Sequence, residues 1–271
     1  MLKWVASYLN QIKRDGMNEV NGEYIKHFNQ QTEQYLLCRP DYPKELFNYF
    51  AQLVPSDAIV WDCGTGNGQA AKELAARFSK VIATDINQKQ LDVAVKAKNI
   101  EYICAPAEDT SIQTATVSLI TVAQALHWFN FPEFYQEVKR VSKSNGYIAA
   151  WCYSLGFFDT DLDFPIKKLY YDILGAEFWP KERFYIDEQY QTIPFPFHKI
   201  NTPQWSIDKK MTFNELIGYL STWSAVKEYQ LRQQRNPIEL VYDELQSYWG
   251  DTAGVRVIHW PIHCLLGKVH D

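Results

Sequence analysis

The sequence predicts an α/β protein, doubly wound around a mostly parallel sheet. Three observations carry this. Short apolar runs alternate with helix-spaced segments from about residue 44 to 153, a glycine-rich turn follows the first run, and an aspartate closes the second. Apolar strands without polar alternation are buried on both faces, and right-handed crossovers then place helices on both sides of the sheet.

The elements follow in order. Ala58-Ile-Val-Trp61 is a strand ending at Asp62, followed by Gly64, Gly66 and Gly68. Ala70, Ala71, Leu74, Ala75 and Phe78 recur at helical spacing. Lys80 to Thr84 is a second strand ending at Asp85, and Leu91, Ala94 and Val95 mark the helix after it. Ile100 to Cys104 and Val117 to Val122 are the third and fourth strands. Pro132 to Val141 reads as a helix with proline in its first turn. Gly146 to Cys152 is the fifth strand. Residues 154–197, rich in aromatics and proline, break this rhythm. Beyond them a loose strand is expected over His198 to Met211, helices over Phe213 to Trp249, and a last strand over Val255 to Val269, made partly irregular by Pro261.

Composition narrows the class. Of 271 residues, 46% are hydrophobic, 22% are charged and the formal charge is −5, as in a globular protein with a sizeable core and a weak attraction for nucleic acid. No apolar run reaches the roughly 18 residues of a membrane span. The first residues lack the apolar core and cleavage site of a secretory signal, and Trp4, Val5, Tyr8, Leu9 and Ile12 fall at helical spacing. Residues 1–25 are therefore an expected helical extension, ahead of a single domain at 26–271. Five widely spaced cysteines without C-x-x-C suit reduced thiols in the cytoplasm. His259 and His263 have the spacing of a helical metal pair, but Pro261 between them argues against a helix, so no metal site is expected. The aromatic content is 15%, and between residues 59 and 122 only Trp61, Phe78 and Tyr102 contribute to it. The excess therefore belongs to whatever follows the first four strands.

Glycines between a strand and a helix let the backbone turn sharply and approach a ligand, and the helix start beyond offers free N–H groups. A dinucleotide fingerprint fits poorly, because it would put Gln69 where close helix–strand packing needs Gly or Ala. The loop reads D-x-G-x-G-x-G instead. Asp85 can accept two hydrogen bonds from a ribose diol, or cap the next helix.

The loop resembles the first motif of class I S-adenosylmethionine-dependent methyltransferases. Tyr35-Leu-Leu-Cys-Arg39-Pro-Asp-Tyr42-Pro, Ala123-Gln-Ala-Leu-His127-Trp-Phe129 and Thr222-Trp-Ser-Ala-Val226 extend the resemblance to the small-molecule, trans-aconitate methyltransferase-like (type 11) branch. It implies a seven-stranded Rossmann-like sheet, with a cofactor core at about 44–153 and an acceptor-side insertion at about 154–197. It also implies that S-adenosylmethionine is the cofactor and S-adenosylhomocysteine the product. Gly64, Gly66 and Gly68 would line the methionine part with Asp62 nearby, and Asp85 would hold the ribose. Ile86 would pack on adenine, Ala107 and Glu108 would sit at its edge, and Gln124 would approach the methionine part. Relatives commonly carry Asp or Asn where Pro106 stands, which shifts adenine recognition onto Glu108, a backbone carbonyl or water.

The acceptor side would hold Tyr35, Arg39, Tyr42, Trp128 and Phe129. Arg39 could pair with a carboxylate of the cofactor or of the acceptor. His127 could act as a general base, bind substrate or brace its loop. The favoured activity is O-methylation of a carboxylate or hydroxyl on a small organic acceptor, with no nucleic-acid or membrane partner. RNA or protein methylation, a nucleotide-binding oxidoreductase and a non-catalytic cofactor-binding protein are the alternatives. Oligomeric state is not legible.

Overall fold

A computed structural model describes residues 40–270. The expected N-terminal extension, Tyr35 and Arg39 lie outside the described residues.

Helix α1 (Lys44–Phe50) precedes β1 (Ile59–Cys63), α2 (Gln69–Ala75), β2 (Lys80–Asp85), α3 (Gln88–Asp92) and β3 (Ile100–Cys104). Then come β4 (Val117–Ala123), a 3-10 turn (Leu126–Trp128), α4 (Phe131–Val141) and β5 (Ser142–Tyr153). The pairing β3-β2-β1-β4-β5 is parallel throughout. β1 and β4 therefore lie at the centre, and every residue of β4 from Val117 to Val122 is buried. Continuous apolar strands are what a doubly covered sheet requires.

One face packs on α1 and α2 through Leu46, Phe47, Phe50, Ala71 and Leu74. The other packs on α4 through Phe134, Val138 and Val141. Burying such a side chain contributes about 1.5–3 kcal/mol, so these faces account for much of the driving force.

The sheet continues antiparallel through β8 (Val255–Lys268). The position beyond β8, one strand in the expected seven-stranded plan, is divided between β6 (His198–Ile200) and β7 (Trp205–Thr212), giving eight strands. β8 is long enough to hold both, because it pairs with β5 only over Ile262–Lys268 and runs on beside β7, with a single further bridge from His259 to Phe157. The irregularity expected around Pro261 is absent, and the strand is continuous. Pro261 lies one residue past the last β5 pairing, where the missing N–H removes no ladder bond on that side.

Residues 154–197 form helical pieces, α5 (Asp163–Lys167), a π-helical turn (Lys168–Leu174), α6 (Gly175–Phe178) and α7 (Arg183–Asp187). Helices α8 (Phe213–Ser221), α9 (Ser224–Gln233) and α10 (Tyr242–Trp249) complete the described chain. Thr212 and Glu215 form a reciprocal capping box at the start of α8, which satisfies two otherwise orphaned N–H groups.

Candidate active site

The carboxyl ends of β1, β2 and β4 converge on the glycine loop. Gly64, Gly66 and Gly68 have φ of 67°, 57° and 82°, a region that costs an L-residue about 1–2 kcal/mol. At Gly64 a Cβ would stand 2.6 Å from the Ala125 methyl and 3.2 Å from the Phe129 ring, so the glycine lets the two loops touch. At Gly68 it would strike the Tyr102 hydroxyl. At Gly66 it would meet nothing within 4 Å, so the middle of the loop faces open space. That combination, tight flanks and an open centre, fits a cradle for a ligand.

Two carboxylates hold the loop. Asp85 accepts from the Gly66 N–H at 2.8 Å and from the Asn87 N–H at 2.8 Å. It is not the cap of α3, because Asn87 takes that place and accepts from the Lys89 N–H. Asp62 is fully buried and accepts from the Thr65 hydroxyl at 2.6 Å and the Thr121 hydroxyl at 2.8 Å. Burial raises its pKa to about 6, against the pull of those hydroxyls. Asp62 therefore binds the loop to the central strand β4 and is covered from above.

Ile86, directly after β2, is 60% exposed among the described residues and offers an apolar platform. Ala107 is buried. Glu108 accepts from the Asn130 N–H at 2.9 Å, so one of its oxygens caps α4, and Pro106 is exposed. Gln124 has φ of 53°, and its amide exchanges bonds of 3.3 and 3.2 Å with the Tyr153 backbone, which ties the ends of β4 and β5 together.

On the acceptor side, Tyr42 sits edge-on to Trp151 at 5.5 Å and lies 6.3 Å from the Tyr153 ring. Trp128 is 44% exposed and shares a surface hollow of about 430 Å³ with Phe129, Lys181 and Phe184. His127 borders the same hollow but is largely covered. It is 5% exposed, and its Nδ1 lies 3.0 Å from the buried Tyr190 hydroxyl. Burial first, then the positive charge of Arg183, lowers its pKa to about 3.

Several residues of this neighbourhood were not anticipated. Gln69 donates to the Pro40 carbonyl and to Asp41, both at 2.9 Å, and so fastens the chain ahead of α1 to the loop. Its bulk at the loop's end was the visible signal. Thr121 was legible as a polar residue inside an apolar strand. Tyr102, Tyr190 and Arg183 carried no sequence signal, because long-range folding alone brings them here. His259 contacts Asp208 at 2.9 Å and His263 lies 3.4 Å from the Ser154 hydroxyl. Among the described residues no cluster of three metal-ligating groups exists.

The parallel strand order with a glycine cradle and a strand-end carboxylate defines an α/β enzyme that binds an adenosine-bearing cofactor. The methyltransferase domain family matches residues 61–150. A Dictyostelium discoideum protein described as a methyltransferase is 33% identical over 247 residues, covering 89% of this chain and 94% of its own. A Saccharomyces cerevisiae protein described as an S-adenosylmethionine-dependent methyltransferase is 32% identical over 51% of this chain and 49% of its own. A solved structure from Anaeromyxobacter dehalogenans, described as a type II methyltransferase, superposes with a TM-score of 0.80 at 34% identity, covering 86% of this chain and 98% of that one. The chain belongs to the methyltransferase domain family. It is a class I S-adenosylmethionine-dependent methyltransferase.

Proposed function

We propose that the chain methylates an oxygen of a small organic acceptor, and that the oxygen belongs to a carboxylate. Residues 44–153 act as the cofactor unit and residues 154–197 as the acceptor-side insertion, in one domain spanning 26–271. Gly64, Gly66 and Gly68 receive the methionine part, Asp62 holds the loop from below, and Asp85 receives the ribose hydroxyls. Ile86 packs under adenine, with Ala107 and Glu108 at its edge. Gln124 keeps the β4 loop at the methionine end. Tyr42, Trp128 and Phe129 wall the acceptor side.

The observation that carries the acceptor reading is the state of His127. A neutral imidazole with a pKa near 3, bonded to Tyr190, is a poor proton acceptor. A hydroxyl or amine would need a base in reach, whereas a carboxylate with an ordinary pKa near 4 arrives ionised. When bound, the cofactor supplies a methyl carbon on a sulfonium sulfur. A carboxylate oxygen would take that methyl without giving up a proton, so no residue of the chain would have to act as base. The chain's own task is then to align the acceptor and exclude water. Cys63, Cys104, Cys152 and Cys264 are unpaired thiols, which suits a reducing, cytoplasmic compartment.

Calorimetry with S-adenosylhomocysteine and with NAD(P), followed by a screen of acids, alcohols and amines for S-adenosylhomocysteine release, tests this reading. Binding of the first ligand alone and turnover of acids are expected. Turnover confined to amines, or to RNA with a steep salt dependence, would refute it.

A further inference from the structure

Arg183 opens α7 with four-fifths of its side chain covered, 21% being exposed. Its guanidinium lies 4.9 Å from the Trp179 ring centre and 5.3 Å from that of Tyr170. The Nε–H donates to the Tyr170 hydroxyl at 2.6 Å, and that hydroxyl donates to Asp187 at 2.6 Å. Nε also stands 3.5 Å from the Asp187 carboxylate. Stacking and the Nε contacts suffice to fix the side chain. The two terminal nitrogens, with four N–H bonds, donate to no described residue. With 21% of the side chain still exposed, these donors open to solvent, so a ligand can reach them without displacing a partner among the described residues.

Its position points the same way. Arg183 acts electrostatically on His127, which follows β4, and on Cys152, near the end of β5. Ligands of open α/β sheets bind beyond those carboxyl ends. Tyr219 and Trp223 complete an aromatic wall, with Trp223 5.5 Å from Tyr170 and 5.8 Å from Tyr219. Asp187 already offsets the charge of Arg183, so the site suits a monoanion better than a phosphate dianion. A planar two-nitrogen edge matches a carboxylate.

We propose that Arg183 is the anion-binding residue of the acceptor site, and that its terminal nitrogens hold a carboxylate of an acceptor with an aromatic or aliphatic body. The proposal rests on the methyl-transfer reading above and adds the residue that selects the acceptor.

The test uses the full chain, with phenylacetate, 3-phenylpropionate and indole-3-acetate as probes, each beside its primary alcohol and amide. S-adenosylhomocysteine release is followed for the wild type, Arg183→Gln and Arg183→Lys, and S-adenosylhomocysteine affinity is measured by calorimetry. Acids are expected to react and their alcohols and amides not to. Arg183→Gln should raise KM for acids roughly 30-fold, the worth of one charge-assisted hydrogen-bond pair, while cofactor affinity stays within about twofold. If Arg183→Gln loses its near-ultraviolet circular dichroism, Arg183→Lys decides, since it keeps the charge and loses the fork. An acid KM unchanged in a folded variant, equal turnover of the alcohols, or no acid turnover at all overturns the proposal. Failure of the wild type to bind S-adenosylhomocysteine would overturn the methyl-transfer reading instead.

Discussion

The cofactor core and the acceptor-side half are built by different means. In the core the polar geometry is largely backbone. Three left-handed glycines within five residues make the loop, and two aspartates at strand ends hold it. In residues 154–270 the geometry is carried by side chains from distant segments. Tyr170, Trp179, Arg183, Tyr219 and Trp223 meet through ring contacts of about 5 to 6 Å. A backbone site tolerates little change in conformation and much change in neighbouring sequence, while a side-chain cage can be re-lined residue by residue. One fold can thus keep its methyl donor and vary its acceptor.

Two buried groups of the core titrate in opposite senses, Asp62 held within it and His127 pressed by the charge of Arg183 from the second region, and the largest expected effects test the comparison there. The folded pKa of His127 is about 3 against an ordinary 6.5. The unfolded chain therefore binds more protons between those values, so stability rises with pH across that window and is lost as pH falls through it. At about 1.4 kcal/mol per pH unit the effect approaches 5 kcal/mol. His127→Gln should flatten the acid limb of unfolding free energy against pH by about 3 kcal/mol over the part of that window read by urea denaturation from pH 4 to 7. Unchanged slopes would mean that His127 is not buried neutral.

Asp62 works the other way. Its folded pKa of about 6 lies above the ordinary 3.8, so its contribution is full at low pH and declines as pH rises towards 6. Asp62→Asn should remove roughly 3 kcal/mol of that decline between pH 4 and 6. The same titrations measure it, and a steeper slope in the variant would contradict the assignment.

Three substitutions sharpen the backbone side. Gly64→Ala combines a disfavoured φ with a methyl 2.6 Å from Ala125 and should cost about 3 kcal/mol in thermal unfolding. Asp85→Ala should weaken S-adenosylhomocysteine binding about 30-fold by calorimetry, through the loss of hydrogen bonds to a charged group, while destabilising the fold by only about 1 kcal/mol. Equal loss of both would make Asp85 structural alone. Gly66→Ala has the same sign of φ as Gly64 but open space around it, so about 1 kcal/mol is expected. A cost equal to that of Gly64→Ala would show that neighbour contacts do not separate the two glycines.

The first five strands were legible because each is an apolar run bounded by a turn. Helix α4 was legible because Pro132 stands in its first turn. The loop was legible because glycine spacing is a local property. The division of the sheet edge into β6 and β7 was not, since it depends on the length of β8 and on where β5 stops pairing. Pro261 was misleading for the same reason, because its cost depends on which neighbour is present at that register.

By itself, then, the sequence determined the alternation of core strands and helices, the cradle at Gly64 to Gly68 and the strand-end Asp85, all features encoded within a few consecutive residues. Tertiary structure decided the rest. It turned His127 inward onto Tyr190, gave Gln69 the segment ahead of α1 to hold, and packed Arg183 on the rings of Tyr170 and Trp179. The reason is physical: burial, and with it the protonation state and free donors of a side chain, belongs to the packed surroundings and not to its neighbours along the chain.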